Sequence, residues 1–220
     1  MKKFLFLLAF ILLPSLVLAN EEKIKKYKTY DSLGCLILEE CKDNLKQIKS
    51  ISDIQRSYPN VDYSYVASEF NQMLTALNKI GAVVFLADEK YFPPLHRGVY
   101  HTVSNKLYLN NSYMQDPGVF MTVMRHEGWH AAQDCMAGTI DNSMIAIIKP
   151  EEDVPDLWRN IAKNTYPKSS LPWETEALWA GKTKDMTMKA LNACANGNMW
   201  EVYDPTPLTR KWLKENNYLK

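Results

Sequence analysis

The stretch from Asp116 to Gly138 constrains the fold more than any other part of the chain. Asp116-Pro117-Gly118 reads as a helix start, an acidic N-cap with proline at the first helical position, and Gly138 reads as the stop. The residues around its centre, Val123, Met124, Gly128, Trp129, Ala131 and Ala132, carry no charge, and Arg125 is the exception. A helix lying on the surface would carry Lys or Glu at several of these positions. The side opposite His126 holds Met124, Gly128, Ala131 and Cys135, whereas the histidine side holds Thr122, Gln133 and Asp134. Such a helix must lie with its back inside a folded domain and its polar side toward something that satisfies it.

On an α-helix each residue turns by about 100°, so His126 and His130 share one face, a turn apart. Two imidazoles so placed can meet one zinc ion at about 2 Å each. Glu127 stands beside the first histidine, offset around the helix, where it can take a proton from a water in the ion's open position. The candidate roles are therefore His126 and His130 as zinc ligands and Glu127 as general base. Cys135 faces away from the imidazoles, which argues for a disulfide behind the helix rather than a further ligand.

The rest of the chain supplies a fold class. Leu36, Leu38, Leu45, Ile48 and Ile51 recur at roughly helical spacing from Leu33 to Ile54, and a second helical pattern runs from Tyr63 to Ile80, stopped by Gly81. Ala82-Val-Val-Phe-Leu predicts a buried strand. Gly98–Val103 and Lys106–Asn110, joined through Ser104-Asn105, predict a hairpin, with Pro93-Pro94 in the loop before it. A short helix is predicted over Val154–Lys163, and a longer one from Pro172 toward Cys194. The last stretch carries no readable motif. This order predicts a single α+β domain, residues 20–220, with a helical N-terminal part and a small, mostly antiparallel sheet packed on helices that include the motif helix.

Residues 1–19 read as a signal peptide: Lys2 and Lys3, an apolar core from Phe4 to Leu13, and Val17-Leu18-Ala19 at the cleavage point. The mature chain is expected to be secreted or periplasmic, without stable membrane insertion. Of the 26 basic residues, Lys2 and Lys3 lie in this leader, leaving 24 against 25 acidic ones, a balance that offers nothing to nucleic acid. Cys35, Cys41, Cys135 and Cys194 read as two disulfides in an oxidising compartment. Three pairings are possible and sequence does not choose; Cys35–Cys41 with Cys135–Cys194 is the favoured one.

A catalytic zinc site needs a third protein ligand. No histidine follows closely downstream, and His96 and His101 precede the motif on a predicted loop and strand, where histidines are more often structural. Leu171-Pro-Trp-Glu-Thr-Glu-Ala-Leu-Trp-Ala offers Glu174 and Glu176, about 200° apart on a helix, so only one can point at the metal. The run is otherwise apolar, so a carboxylate buried in it needs a partner.

His126-Glu-Gly-Trp-His130 followed by a helical Glu resembles the zincin metallopeptidases, and within them the gluzincin branch, over roughly Ala82 to Ala190. The resemblance implies a secreted zinc metallopeptidase that hydrolyses peptide or protein substrates. It favours Glu174 as third ligand, because a small residue, Ala177, follows three positions later where Glu176 has Trp179. It also implies a group supporting a ligand histidine one place further on. This chain has Leu178 there, so that task is expected to pass to Asp134 or a backbone carbonyl. Tyr166, Tyr203, His101 and Arg125 are candidates for stabilising a developing oxyanion, and Lys106–Asn110 for pairing with an extended substrate as an edge strand. Two other readings use the same residues differently: a zinc hydrolase acting on another amide, such as a cell-wall crosslink, or an exported, disulfide-stabilised binding protein in which HEGWH is incidental.

Overall fold

The computed structural model describes residues 30–41 and 43–220. The predicted leader, the cleavage site after Ala19 and the charged stretch Glu21–Lys28 lie outside the described residues. In chain order the elements are α1 (Tyr30–Ile37), β1 (Leu45–Ile48), α2 (Ile51–Ser57), α3 (Ser64–Lys79), β2 (Val83–Ala87), β3 (Gly98–His101), β4 (Lys106–Asn110) and α4 (Pro117–Met136). They continue with α5 (Asp156–Thr165), α6 (Leu171–Lys182), α7 (Met186–Ala195), α8 (Met199–Val202) and α9 (Pro207–Glu215). The architecture is α+β.

The sheet has the order β1-β2-β4-β3, antiparallel at both ends and parallel between β2 and β4. Side chains alternate across it with the period of a strand. Val84, Leu86, Leu107 and Leu109 enter the main core, while Ala87 and Tyr108 join Leu36, Tyr91 and Phe92 on the other face. Both faces are thus covered. The main core fills the space between this sheet, α3, α4 and α7, around Phe70, Met73, Phe120, Met124 and Trp129.

α4 forms as its sequence requires. The Asp116 carboxylate accepts from the Gly118 and Val119 amides at 2.7 and 3.0 Å, Pro117 opens the first turn, and Gly138 leaves the helix at φ +129°. Its back is buried as expected: Gly128 lies against Thr187, Met73 and Leu191 so closely that a Cβ there would sit 3.1 Å from the threonine methyl. The Cys135–Cys194 disulfide ties its last turn to α7, and Cys35–Cys41 closes a short loop after α1. Two disulfides fit an exported chain. Among the described residues no helix is long and apolar enough to cross a membrane.

Three expectations need correction. The periodicity from Leu33 to Ile54 is not one helix, because Glu39 and Asn44 adopt φ of +58° and +56° around the Cys35–Cys41 loop, and Leu45–Ile48 then pairs with β2. The helix from Pro172 does not reach Cys194 either: Asp185, at φ +65°, separates α6 from α7. Finally, Lys106–Asn110 lies inside the sheet, and the edge beside α4 is β3.

Candidate metal centre

α4 and α6 pack side by side, and the site lies in the seam between them. His126 and His130 project from α4, and Glu174 reaches them from the first turn of α6. The two Nε2 atoms are 3.3 Å apart, with rings nearly perpendicular at 85°. Glu174 Oε2 lies 3.2 Å from His126 Nε2 and 3.6 Å from His130 Nε2. Among the described residues this is the one group of three potential ligand side chains whose donor atoms all fall within 4.8 Å of one another. Four ligands around a tetrahedral ion with bonds of ~2.0–2.1 Å sit ~3.3–3.4 Å apart. The three observed separations cluster around that edge length. Glu174 Oε2 is buried and accepts no well-directed hydrogen bond, so the convergence leaves a lone pair to be satisfied. Two imidazoles and a carboxylate are donors suited to a transition ion, and the group could hold one.

Glycine makes the seam possible. A Cβ on Gly181 would lie 3.1 Å from the Thr122 carbonyl oxygen and 3.3 Å from His126 Cβ, so a larger residue would wedge α6 away from α4. Glu174, expected from sequence as a third ligand, is brought beside the two histidines by a helix pair that meets closely at Gly181, two turns away.

The electrostatics follow from burial and neighbours. Burial disfavours the Glu174 carboxylate, yet the imidazoles of His126 and His130 outweigh it and hold its pKa well below the ordinary value. Burial likewise disfavours a charged His130, but Glu174 and Glu127 override it and raise the ring to about 9. Glu127 is buried beside the pair. Desolvation pushes its carboxyl up, against the opposing pull of the two histidines. β3 passes directly over it: a Cβ on Gly98 would sit 2.7 Å from Val123 Cγ1 and 3.0 Å from Glu127 Oε1.

The group that supports His130 is Gln133, in place of the expected Asp134 or backbone carbonyl. Its Oε1 lies 2.7 Å from His130 Nδ1, and its amide nitrogen donates to the Trp173 carbonyl at 3.1 Å and to Glu176 Oε1. Glu176 points away from the donor cluster and is fully buried, accepting the Ile148 and Lys149 amides at 3.1 and 2.6 Å. Asp134 turns instead to the Tyr100 hydroxyl at 3.1 Å. Gln133 stood on the polar side of the predicted helix; its spacing of three from His130 was the available signal.

The oxyanion candidates separate. Tyr203 packs edge-on against Trp129, His101 Nδ1 is 2.8 Å from Ser104 Oγ, and Arg125 is held by Glu69 at 2.6 and 2.7 Å. Tyr166 alone of the four adjoins the cluster, its ring 6.3 Å from that of His126 and tilted by only 14°. Burial, then the charges of Glu174 and Glu127, push its phenol well above the ordinary range. His96 lies near enough to Glu174 to feel its charge, with burial lowering its pKa. Against models of protein families, curated proteins and solved structures, the chain finds no match.

Proposed function

We propose that the chain is an exported zinc-dependent peptidase of the gluzincin kind. His126, His130 and Glu174 hold the ion, and Glu127 is the general base. The observation that carries the reading is the convergence of two Nε2 atoms and one carboxylate oxygen at separations of 3.2 to 3.6 Å, with a buried carboxyl on the same helix beside them. Bound zinc supplies Lewis acidity toward a carbonyl and makes water more acidic.

The chain's own residues do the remainder. Glu127, with its pKa raised by burial, accepts a proton from the attacking water and passes it to the leaving nitrogen. Tyr166, whose ring stacks beside that of His126, is the phenol we assign to donate to the oxygen on which charge develops. The Arg97 carbonyl accepts from the Asn110 amide at 2.9 Å, so in the antiparallel alternation the backbone of Gly98 and Tyr100 points away from β4. The Tyr100 amide is engaged by the Glu127 carboxylate, so an extended peptide would add to that edge through Gly98, beside Glu127.

Metal content and hydrolysis, measured together, test the reading. Purified protein should contain one zinc per chain. Glu127→Gln should keep the ion and the fold but lose roughly 10²–10⁴-fold in the rate of casein or peptide hydrolysis. Undiminished hydrolysis by Glu127→Gln, or a well-folded chain that takes up no zinc, would refute it. Cleavage of peptidoglycan but not of casein would move the substrate to a cell-wall amide while leaving the residue roles unchanged.

A further inference from the structure

We infer that Glu176 and Gln133 form a positioning relay that fixes which nitrogen of His130 faces the metal. The inference rests on the metal-binding part of the reading above. It gives a role to the carboxylate of α6 that is not a ligand.

The argument starts from what each group can donate. The Trp173 carbonyl accepts only, and Glu176 accepts from three directions: the Ile148 amide, the Lys149 amide and Gln133. The Gln133 –NH₂ group must therefore face these two acceptors, and both its hydrogens are used. Its Oε1 is left to face His130 Nδ1 at 2.7 Å, and an amide oxygen only accepts. His130 must then carry its proton on Nδ1, and Nε2 is the nitrogen that lies 3.6 Å from Glu174 Oε2 and 3.3 Å from His126 Nε2. Gln133 and Glu176 are both fully buried, so water does not compete for these bonds. A Gln amide is symmetric enough to bind either way round, and the acceptors behind it remove that freedom. One helix thus presents a carboxylate on each of two sides, Glu174 toward the ion and Glu176 toward the residue that orients the ion's ligand.

The relay has a readout independent of hydrolysis. In ¹⁵N–¹H NMR spectra of the wild-type chain, His130 should show a protected Nδ1–H resonance both metal-free and zinc-loaded, and Gln133→Met should lose it. Zinc affinity, measured by competition with a chromophoric chelator, should fall roughly 10–100-fold in Gln133→Met. Glu176→Gln should weaken zinc binding by a smaller factor, because the Trp173 carbonyl still orients Gln133. The double variant should bind no more weakly than Gln133→Met alone, as members of one chain of bonds do. Absence of the Nδ1–H signal in wild type, unchanged affinity in Gln133→Met, or losses that simply multiply would each overturn the relay. Should Gln133→Met not fold, the wild-type resonance and the Glu176→Gln affinity still decide. Wild-type protein that takes no zinc would sink the zinc reading alone, and the metal-free resonance would still decide the relay.

Discussion

Asp134 lies one turn beyond His130, fully buried, with Oδ2 3.1 Å from the Tyr100 hydroxyl and Oδ1 without a partner. Burial raises its pKa from 3.8 to about 7, the Tyr100 hydrogen bond opposes the rise, and Asp141 adds to it. The folded chain therefore keeps a proton here that the unfolded chain releases near 3.8. Between that value and about 7 the folded state binds more protons, so this residue's contribution to stability falls as the pH rises through that window. Asp134→Asn removes the titration. Relative to wild type, the variant should gain about 2 kcal/mol in going from pH 5 to pH 8, read from urea midpoints at the two pH values. Other titrating groups are common to both proteins and cancel in the difference. A gap independent of pH would show that Asp134 is not the titrating residue.

Two glycines decide how closely the neighbouring elements approach α4, and they should fail differently. Gly181→Ala pushes α6 outward against the Thr122 carbonyl and His126, moving Glu174 off the histidines, so zinc affinity should drop about tenfold or more. Gly98→Ala pushes β3 against Val123 and Glu127 on the other side. It should leave zinc affinity nearly intact while hydrolysis falls by roughly a hundredfold, as expected for an ångström-scale displacement. Chelator competition beside a peptide assay separates the two. α4 itself was legible from sequence because its cap, its proline and its closing glycine are local signals. That one of Glu174 and Glu176 would reach the histidines was legible, since helical phase allows only one of them to face His126 and His130. The break at Asp185 and the strand at Leu45–Ile48 were not legible. Each follows from a left-handed residue or a non-local pairing that overrides helical spacing. Gln133 was hidden for a related reason: its acceptors, Trp173 and Glu176, come from another helix.

For the whole molecule, the two disulfides close loops of very different length, with sequence separations of 6 and 59. Chain-entropy arguments give about 2 kcal/mol for the short loop and about 4 kcal/mol for the long one. Replacing Cys135 and Cys194 together by serine should therefore lower the denaturation midpoint more than replacing Cys35 and Cys41. Equal losses would show that constraint of the unfolded chain is not what these bonds supply. The α+β class and the site's place in it followed from the order of local signals. The parallel pairing inside the sheet did not, because β4 inserts between β2 and β3 only once the chain has folded back. The long disulfide also has a consequence for where such a chain comes to life. It fastens the last turn of the histidine helix to α7 behind it, so a copy still in reducing surroundings would hold its two histidines slackly. Competence would then arrive together with oxidation: if the chain is the peptidase proposed above, it would stay idle in a reducing compartment and become ready in an oxidising one.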